Sequence, residues 1–503
     1  MWRLLQPSAS EASLPSRTLS PPVWCNGPMP LVERSCQMPV DAATAACWHF
    51  RAAALARCMP PWRRWRLVSG SAEVIAGSTV ELDLRCGPRW RRQLLQRELV
   101  RPGVGFTQRQ LSGPLREFIH SRRFLIGSEG LGVREDRVRF EVSRLPLLST
   151  YQEVRFRHEF ARILAFSQQR ASGDLARHAS DGSATPRRIG ITGSTGLVGT
   201  AACAFFAALG HEVVPFLRPT RRAAPGVGNG VIWDPLGDEL SGDGAEGLDA
   251  VIHLAGASIA ARPWTRQRRA LLTSSRVSAT ASLCSALSRL RSPPRVVVCA
   301  SGINFYGSDH TIDAAPVDES GAPGAGFLAE LARSWESALA PAVAAGIRAV
   351  RVRIGMVVSA RGGAVARMAT PARLGLLGPL GSGRQAVSWI HIDDLLGILH
   401  RAAIAGTLEG AVNAVAPGVV SQAEFAQLLA GVFDRPAFLR TPRAVVSAGL
   451  GDLGRELLLG GVNARSAVLA DGAFNFEFAS LDRALRFEYG RFDEIPAPAL
   501  LNS

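Results

Sequence analysis

The spacing of hydrophobic residues divides the chain into an early part with a period of two and a later part without it. Over residues 29–148 apolar and polar positions alternate, as where Val80, Leu82 and Leu84 are interleaved with charged residues. This period is typical of half-buried strands. Over residues 151–167 the apolar positions recur at helical spacing. A sheet followed by one long helix predicts an α+β domain.

Segments of small and polar residues flank this domain. Residues 171–186, ASGDLARHASDGSATP, have the composition of a linker. Residues 1–28 are rich in Ser and Pro without periodicity, which predicts a flexible tail or a translation start site assigned too far upstream. We therefore predict a tail at 1–28, a first domain at 29–172, a linker at 173–186 and a second domain at 187–503.

In the second domain, short apolar runs alternate with helical patterns. Runs that predict buried strands lie at 188–192, 212–217, 250–254, 295–299 and 349–358, and helical patterns lie at 201–209, 264–289 and 327–345. This order predicts the α/β class, with a doubly wound parallel sheet.

A glycine-rich turn follows the first of these strands. It reads Thr192, Gly193, Ser194, Thr195, Gly196, Leu197, Val198 and Gly199. Gly193 permits a tight turn, Gly196 lets a pyrophosphate approach the backbone, and Gly199 allows the next helix to pack closely. A strand before the turn and a helix after it predict a dinucleotide site, with a ligand-free turn as the alternative.

The end of the second strand distinguishes the two nicotinamide dinucleotides. An acidic residue there would bind a ribose 2′-hydroxyl and select NAD, but this chain has Arg218. A guanidinium matches a 2′-phosphate, so we predict NADP(H) as the cofactor. Arg221 and Arg222 follow, and a solvated loop explains them at least as well.

Several motifs resemble those of a known superfamily. With the glycine-rich turn, DAVIHLAG (249–256), RIG (353–355) and WIHIDD (389–394) resemble extended short-chain dehydrogenases/reductases, which have a Rossmann fold. RPWT (262–265), SR (275–276), FYG (305–307), GPLGSG (378–383) and the 430–490 tail resemble their atypical nucleoside-diphosphate-sugar epimerase-like members.

This resemblance implies roles for individual residues. It implies that Arg218 contacts the 2′-phosphate, that Leu254 and Ala255 make backbone contacts along the cofactor with Gly256 beside them, and that Arg276 lies on the cofactor side. It also implies a substrate-side subdomain near 430–490.

The usual proton relay of the superfamily is absent. Typical members use a Tyr whose pKa is lowered by a Lys four residues later, but this chain has no lysine, and the corresponding helix reads FLAEL at 327–331. We predict Ser301 and Tyr306 as catalytic residues, with Ser301 bonded to a substrate carbonyl; a strand-end hydroxyl is the alternative for Ser301. Without a neighbouring ammonium group, Tyr306 should keep a pKa of about 10.

The remaining candidate acids have structural alternatives. His391, Asp393 and Asp394 could shuttle a proton, although a helix cap explains them better. Glu319 and Glu336 could face the substrate cleft or water. No histidine lies at ligand spacing from a cysteine or carboxylate, so we predict no metal site.

The first domain has a resemblance of its own. FT (106–107), QLSGP (110–114) and FIHSRRF (118–124) resemble the START-like, helix-grip fold of polyketide cyclase and coenzyme Q-binding proteins. That fold implies a curved sheet around a long helix, with an apolar cavity for a lipid, isoprenoid or aromatic ligand. A filled core that only scaffolds the second domain is the alternative.

Composition narrows the classes of function. All 57 basic residues are arginine, which excludes chemistry that needs a lysine amine. Residues 1–186 carry 27 arginines against 16 acidic residues, but these arginines are dispersed without stacking aromatics, so we expect no nucleic-acid partner. The eight cysteines form no C-x-x-C pair and no apolar run could span a membrane, so we expect a cytoplasmic protein.

Together these patterns predict an NADP(H)-binding epimerase-like or reductase-like protein fused to a hydrophobic-ligand-binding domain. Its substrate would be a small or lipophilic carbonyl or alcohol. The alternative is a non-catalytic, NADPH-dependent regulatory or sensor protein that kept the cofactor fold and lost the proton relay.

Overall fold

A computed structural model describes residues 29–86, 89–142, 149–180, 185–219, 230–235, 240–241 and 243–492. The tail predicted over 1–28 lies outside these residues, as do Arg221 and Arg222.

The first unit, residues 29–180, is a seven-stranded antiparallel sheet with three helices. The strands lie in the order β1-β7-β6-β5-β4-β3-β2, and the alternation expected from the sequence puts Val80 and Leu82 in the core. The elements are β1 Leu31–Gln37, α1 Ala42–Phe50, α2 Ala52–Cys58, β2 Trp65–Gly70, β3 Thr79–Cys86, β4 Arg89–Arg101, β5 Gly105–Ser112, β6 Glu117–Ile126, β7 Gly132–Glu141 and α3 Ser149–Ser180.

The last helix of the first unit extends beyond its predicted end. Because α3 continues to Ser180, the linker predicted at 173–186 is wrong for residues 173–180. Ala171 and Leu175 lie in the same hydrophobic core as residues of the second unit, and Asp174 is fully buried. The small and polar side chains of this segment therefore form an interface.

The second unit, from residue 185 onward, confirms the doubly wound sheet. Its elements are β8 Arg188–Thr192, α4 Leu197–Leu209, β9 Glu212–Leu217, β10 Val231–Trp233, β11 Leu240–Ser241, β12 Ala250–His253, α5 Arg266–Ser274, α6 Val277–Ser288, β13 Val296–Gly302, α7 Phe327–Ser337, α8 Ala340–Ala344, β14 Arg348–Ile354, β15 Met356–Val358, α9 Gly363–Arg373, β16 Ala386–Val387, β17 Trp389–His391, α10 Ile392–His400, β18 Gly410–Ala414, β19 Val420–Ser421, α11 Gln422–Gly431, α12 Arg443–Leu453, α13 Ala467–Asp471 and α14 Leu481–Glu488.

The main sheet of this unit has the order β11-β10-β9-β8-β12-β13-β14-β18 and is parallel except for β11. The chain leaves β8 to form β9 on one side and returns to form β12 on the other. Ligands of open α/β sheets bind in the crevice at such a reversal, outside the carboxyl ends of the strands. The glycine-rich turn follows β8 and therefore lies at this crevice.

Buried ion pairs join the two units. Arg57 of α2 donates to Asp174 at 2.6 and 2.8 Å and to Asp393 of α10 at 2.8 Å. Arg170 of α3 donates to Asp393 at 2.9 Å and to Glu488 of α14 at 3.0 Å. These side chains are at most 4% exposed, so each charge is stabilised by its oppositely charged partners rather than by water.

Candidate functional site

The glycines of the turn are required by close backbone approaches. Gly193 has φ +65°, and a Cβ there would lie 2.8 Å from the carbonyl carbon of Leu254. A Cβ on Gly199 would lie 2.1 Å from the carbonyl oxygen of Gly193. The turn and the start of α4 are thus pressed together, with the N-terminus of α4 directed at the crevice.

A buried chain of polar side chains holds the opposite wall of the crevice. Thr192 Oγ1 accepts from the backbone N–H groups of Leu254 and Ala255 at 3.1 and 3.2 Å and contacts His253 Nδ1 at 2.7 Å. His253 Nε2 in turn lies 2.9 Å from the hydroxyl of Thr280. Burial, reinforced by Arg276, lowers the pKa of His253 to about 4, so this ring is neutral near pH 7. Because both N–H groups are bonded internally, Leu254 and Ala255 can contact a cofactor only through other atoms.

A cleft of about 380 Å³ opens where α4 begins. Thr195, Gly196 and Leu197 line it on one side, and Arg57 and Arg170 line it on the other. Because Arg57 and Arg170 are already paired with Asp174, Asp393 and Glu488, it is the N-terminus of α4 that favours an anionic occupant here.

Two arginines border the crevice without carboxylate partners among the described residues. Arg218 is exposed directly after β9. Arg276 is 7% exposed, its Nε has no hydrogen-bond partner, and a Cβ on Gly256 would lie 3.1 Å from its guanidinium carbon. Burial, together with Arg268, lowers the pKa of Arg276 to about 10, so it remains a cation at neutral pH. The positive charge beside Gly256 is therefore available to an anion.

Ser301 and Tyr306, predicted as catalytic residues, lie in one buried network. Ser301 Oγ donates to Glu336 at 2.8 Å, and Arg353 donates to both oxygens of Glu336 at 2.8 and 2.9 Å. Arg353 Nη1 also donates to the Tyr306 hydroxyl at 2.7 Å, and that hydroxyl donates to Asn413 at 2.9 Å.

This network corrects two expectations. A cation does lie beside Tyr306, but it comes from β14 and not from the Tyr helix; burial raises the pKa of Tyr306 despite Arg353, so the phenol stays protonated near neutral pH. Ser301 gives its only proton to Glu336, so it is arranged to accept from a substrate hydroxyl rather than to donate to a carbonyl.

The other candidate acids are engaged by protein groups. Glu336 is buried against Arg353, so the expectation that it faces water is wrong, whereas the half-buried Glu319 accepts from Asn413, Ser466 and Ala467 at the start of α13. His391 does cap α10, through Nδ1 and the N–H of Asp393. Asp393 and Asp394 do not cap it; they pair with arginines of α2 and α3.

Three histidines far apart in sequence lie together where the units meet. Ring nitrogens of His178, His211 and His400 fall within 4.8 Å of one another. The N–H of Arg187 donates to Nδ1 of His211, which places the proton of the neutral ring on Nε2. Burial, with the neighbouring histidines and Arg51, lowers the pKa of His211 to about 3.

The first unit encloses a cavity of about 250 Å³ between its sheet and α3. Its walls are mostly apolar, with Leu82, Leu95, Phe106, Phe118 and Phe160 among them. None of the helices in the described ranges combines the length and the hydrophobicity that a bilayer span requires.

Family comparisons cover most of the second unit. Residues 189–414 match the NAD dependent epimerase/dehydratase family, and residues 441–488 match a domain of unknown function, DUF1731. The epimerase family protein SDR39U1 of Homo sapiens is 37% identical over 304 residues, which cover 59% of this chain and 98% of the human protein. The epimerase family protein MT2273 of Mycobacterium tuberculosis is 36% identical over 299 residues, 59% of this chain and 96% of that protein.

Solved structures extend the comparison. A nucleoside-diphosphate sugar epimerase from Corynebacterium glutamicum has a TM-score of 0.74 and 27% identity, over 91% of this chain and 90% of its own. Human SDR39U1 in a crystal structure with NADPH has a TM-score of 0.54 and 33% identity, over 61% of this chain and 100% of its own. The first match is long enough to include most of the first unit.

Proposed function

This chain belongs to the epimerase family, and from that membership and the geometry of its crevice we propose that it binds NADP(H) and catalyses redox chemistry on a small or lipophilic carbonyl or alcohol. The observation that carries the proposal is the crevice itself, where a glycine turn and a helix N-terminus adjoin two cations that lack carboxylate partners among the described residues.

The crevice residues fit this cofactor. We assign the pyrophosphate to the turn from Thr192 to Gly199, the 2′-phosphate to Arg218, and a second anionic contact to Arg276 beside Gly256. The crystal structure of the human relative SDR39U1 with NADPH supports this choice of cofactor. NADP(H), when bound, would supply hydride exchange at C4 of its nicotinamide.

Binding selectivity tests the assignment of Arg218. NADPH is expected to bind at least about tenfold more tightly than NADH in a fluorescence titration, the value of one charge-assisted phosphate contact. Arg218→Ala should remove most of that difference, whereas Arg276→Met should weaken both dinucleotides alike. Arg435→Ala, which removes an exposed arginine after α11, is the matched control and should change neither affinity. Equal affinities for NADPH and NADH in the unmodified protein would contradict the proposal.

For the chemical step we propose that Ser301 and Glu336 carry the proton. Oxidation of an alcohol releases one proton, which can pass from the substrate hydroxyl to Ser301 Oγ while the Ser301 proton passes to Glu336 at 2.8 Å. Arg353 holds the Glu336 carboxylate in place through both of its oxygens. In this scheme Tyr306 orients Arg353 and does not exchange a proton.

For the first unit we propose the START-like, helix-grip fold and binding of a hydrophobic ligand in its cavity. The proposal is supported by the antiparallel sheet, the 32-residue helix that follows it, and the mostly apolar walls between them. We extend the first unit from 29–172 to 29–180, because α3 ends at Ser180, and keep 187–503 as the second unit, with 430–490 as its substrate-side part.

A second function has one observation in its favour. The hydroxyls of Ser301 and Tyr306 are both engaged in internal hydrogen bonds, as expected of a protein that binds NADPH without turnover. Such a protein would report the NADPH level as a regulator or sensor.

A further inference from the structure

Among the polar side chains that line the cavity of the first unit, three form a row across the sheet. Arg97 of β4 pairs in register with Gln108 of β5, which pairs with His120 of β6, so the three lie side by side. All three line the cavity. Gln108 bonds to His120 at 3.0 Å, and His120 bonds to Asp136 at 2.9 Å. Two members of the row are therefore satisfied by protein partners.

Arg97 differs from the other arginines of the cavity. Arg63 is paired with Glu159 at 2.7 Å and Arg122 with Asp136 at 2.8 Å. Arg97 is 3% exposed, and within the described ranges its guanidinium meets only neutral acceptors, the carbonyls of Ser71 and Ala72 and the hydroxyl of Ser78. Burial lowers its pKa to about 10, so it still carries its charge at neutral pH. A cation buried without an anion is costly unless something else supplies one.

The guanidinium of Arg97 also has a buried donor that no described protein group uses. Its Nε has no hydrogen-bond partner, and Nη2 makes one bond, to Ala72. Arg57 and Arg353 use this same Nε and Nη2 edge to bind Asp174 and Glu336. A carboxylate in the cavity would find the same geometry at Arg97.

We infer that the cavity of the first unit binds an amphiphile with one ionised carboxylate, which pairs with Arg97 while its apolar body fills the space between the sheet and α3. This inference rests on the proposed hydrophobic-ligand function of the unit and adds the charge of the ligand. The cavity of about 250 Å³ limits the body to a single short chain or a compact ring system.

Decanoate and 1-decanol separate charge from hydrophobic burial, because their chains are equal in length. In calorimetric titrations of the full chain at pH 7.5, decanoate is expected to bind about tenfold or more tightly than decanol. Arg97→Met should abolish that preference and leave decanol affinity within about twofold. Arg91→Met, which removes an exposed arginine of the same strand, is the control and should preserve the preference.

The possible outcomes distinguish the carboxylate inference from the proposal that the unit binds a hydrophobic ligand. Equal binding of the two probes to the unmodified protein, or a preference that survives Arg97→Met, would overturn the inference and leave hydrophobic binding intact. Binding of neither probe would overturn both the inference and the ligand-binding proposal for the unit. Should Arg97→Met fail to fold by circular dichroism, the preference of the unmodified protein alone decides, and a higher melting temperature with decanoate than with decanol supports the inference.

Discussion

Replacing Asp393 with asparagine is expected to destabilise the protein by about 3–5 kcal/mol, because two buried arginines lose a shared counter-charge. Arg57 and Arg170 both donate to this carboxylate, and both come from the first unit. Burial alone would raise the pKa of Asp393, but these two guanidinium groups hold it well below its ordinary value. Asparagine keeps the shape and removes the charge, so the loss reports the ion pairs. Urea unfolding followed by circular dichroism measures it.

Asp482→Asn is the matched control for that change. Asp482 pairs with Arg486 one turn along α14, where both side chains are about a third exposed. Exposed pairs of this kind contribute about 0–1 kcal/mol, so this variant should stay close to the unmodified protein. If Asp393→Asn also stays within about 1 kcal/mol, the ion pairs do not hold the units together.

The same contacts predict that residues 29–172 do not fold as a separate fragment. A cut at 172 removes Asp174 from Arg57 and leaves Arg170 without Asp393 and Glu488. We expect that fragment to be insoluble on its own.

Turnover is expected to fall about tenfold to a thousandfold in Ser301→Ala, with NADPH affinity unchanged, because the hydroxyl serves the proton and not the cofactor phosphates. Glu336→Gln should have a similar effect, since an amide accepts the Ser301 hydrogen bond but cannot take its proton. Ser337→Ala removes an exposed hydroxyl at the end of the same helix as Glu336 and should leave turnover unchanged.

The pH profile separates this relay from a tyrosine base. Oxidation through Ser301 and Glu336 does not require a phenolate, so its rate should not follow the titration of a tyrosine between about pH 6.5 and 9. Tyr306 has a pKa raised above its ordinary value, so catalysis by its phenolate would rise about tenfold per pH unit over the same range. A rising profile that is lost in Tyr306→Phe would reassign the base to Tyr306.

Local patterns predicted most of the fold, and contacts between distant segments account for what they missed. The five central strands of the second sheet and the turn from Thr192 to Gly199 are encoded by neighbouring residues, so their spacing sufficed, whereas β10, β11 and β18 were not predicted. The second half of α3 looked like a linker because Asp174 and Arg177 are polar. Their partners, Arg57 and Asp394, lie far away in the chain, so nothing local distinguishes a buried pair from a solvated face.

The site shows the same limit. Ser301 could be identified from its strand, but its partner Glu336 lies 35 positions later, and Tyr306 and Asn413 lie 107 positions apart. The cation beside Tyr306 was missed because it is supplied by β14, whereas the sequence argument considered only the helix that usually carries a lysine. The cluster of His178, His211 and His400 was also missed, because its members lie far apart in the sequence.

Transfer of label from NADPH tests the proposed redox function most directly. NADPH carrying deuterium at C4, prepared separately in each stereochemical form, would be incubated with the protein, a panel of carbonyl compounds and cell extract. We predict loss of deuterium from one face only, and a much slower loss with Ser301→Ala. If NADPH binds tightly and no deuterium leaves it under any condition, the protein does not catalyse hydride exchange and the sensor function replaces the redox function.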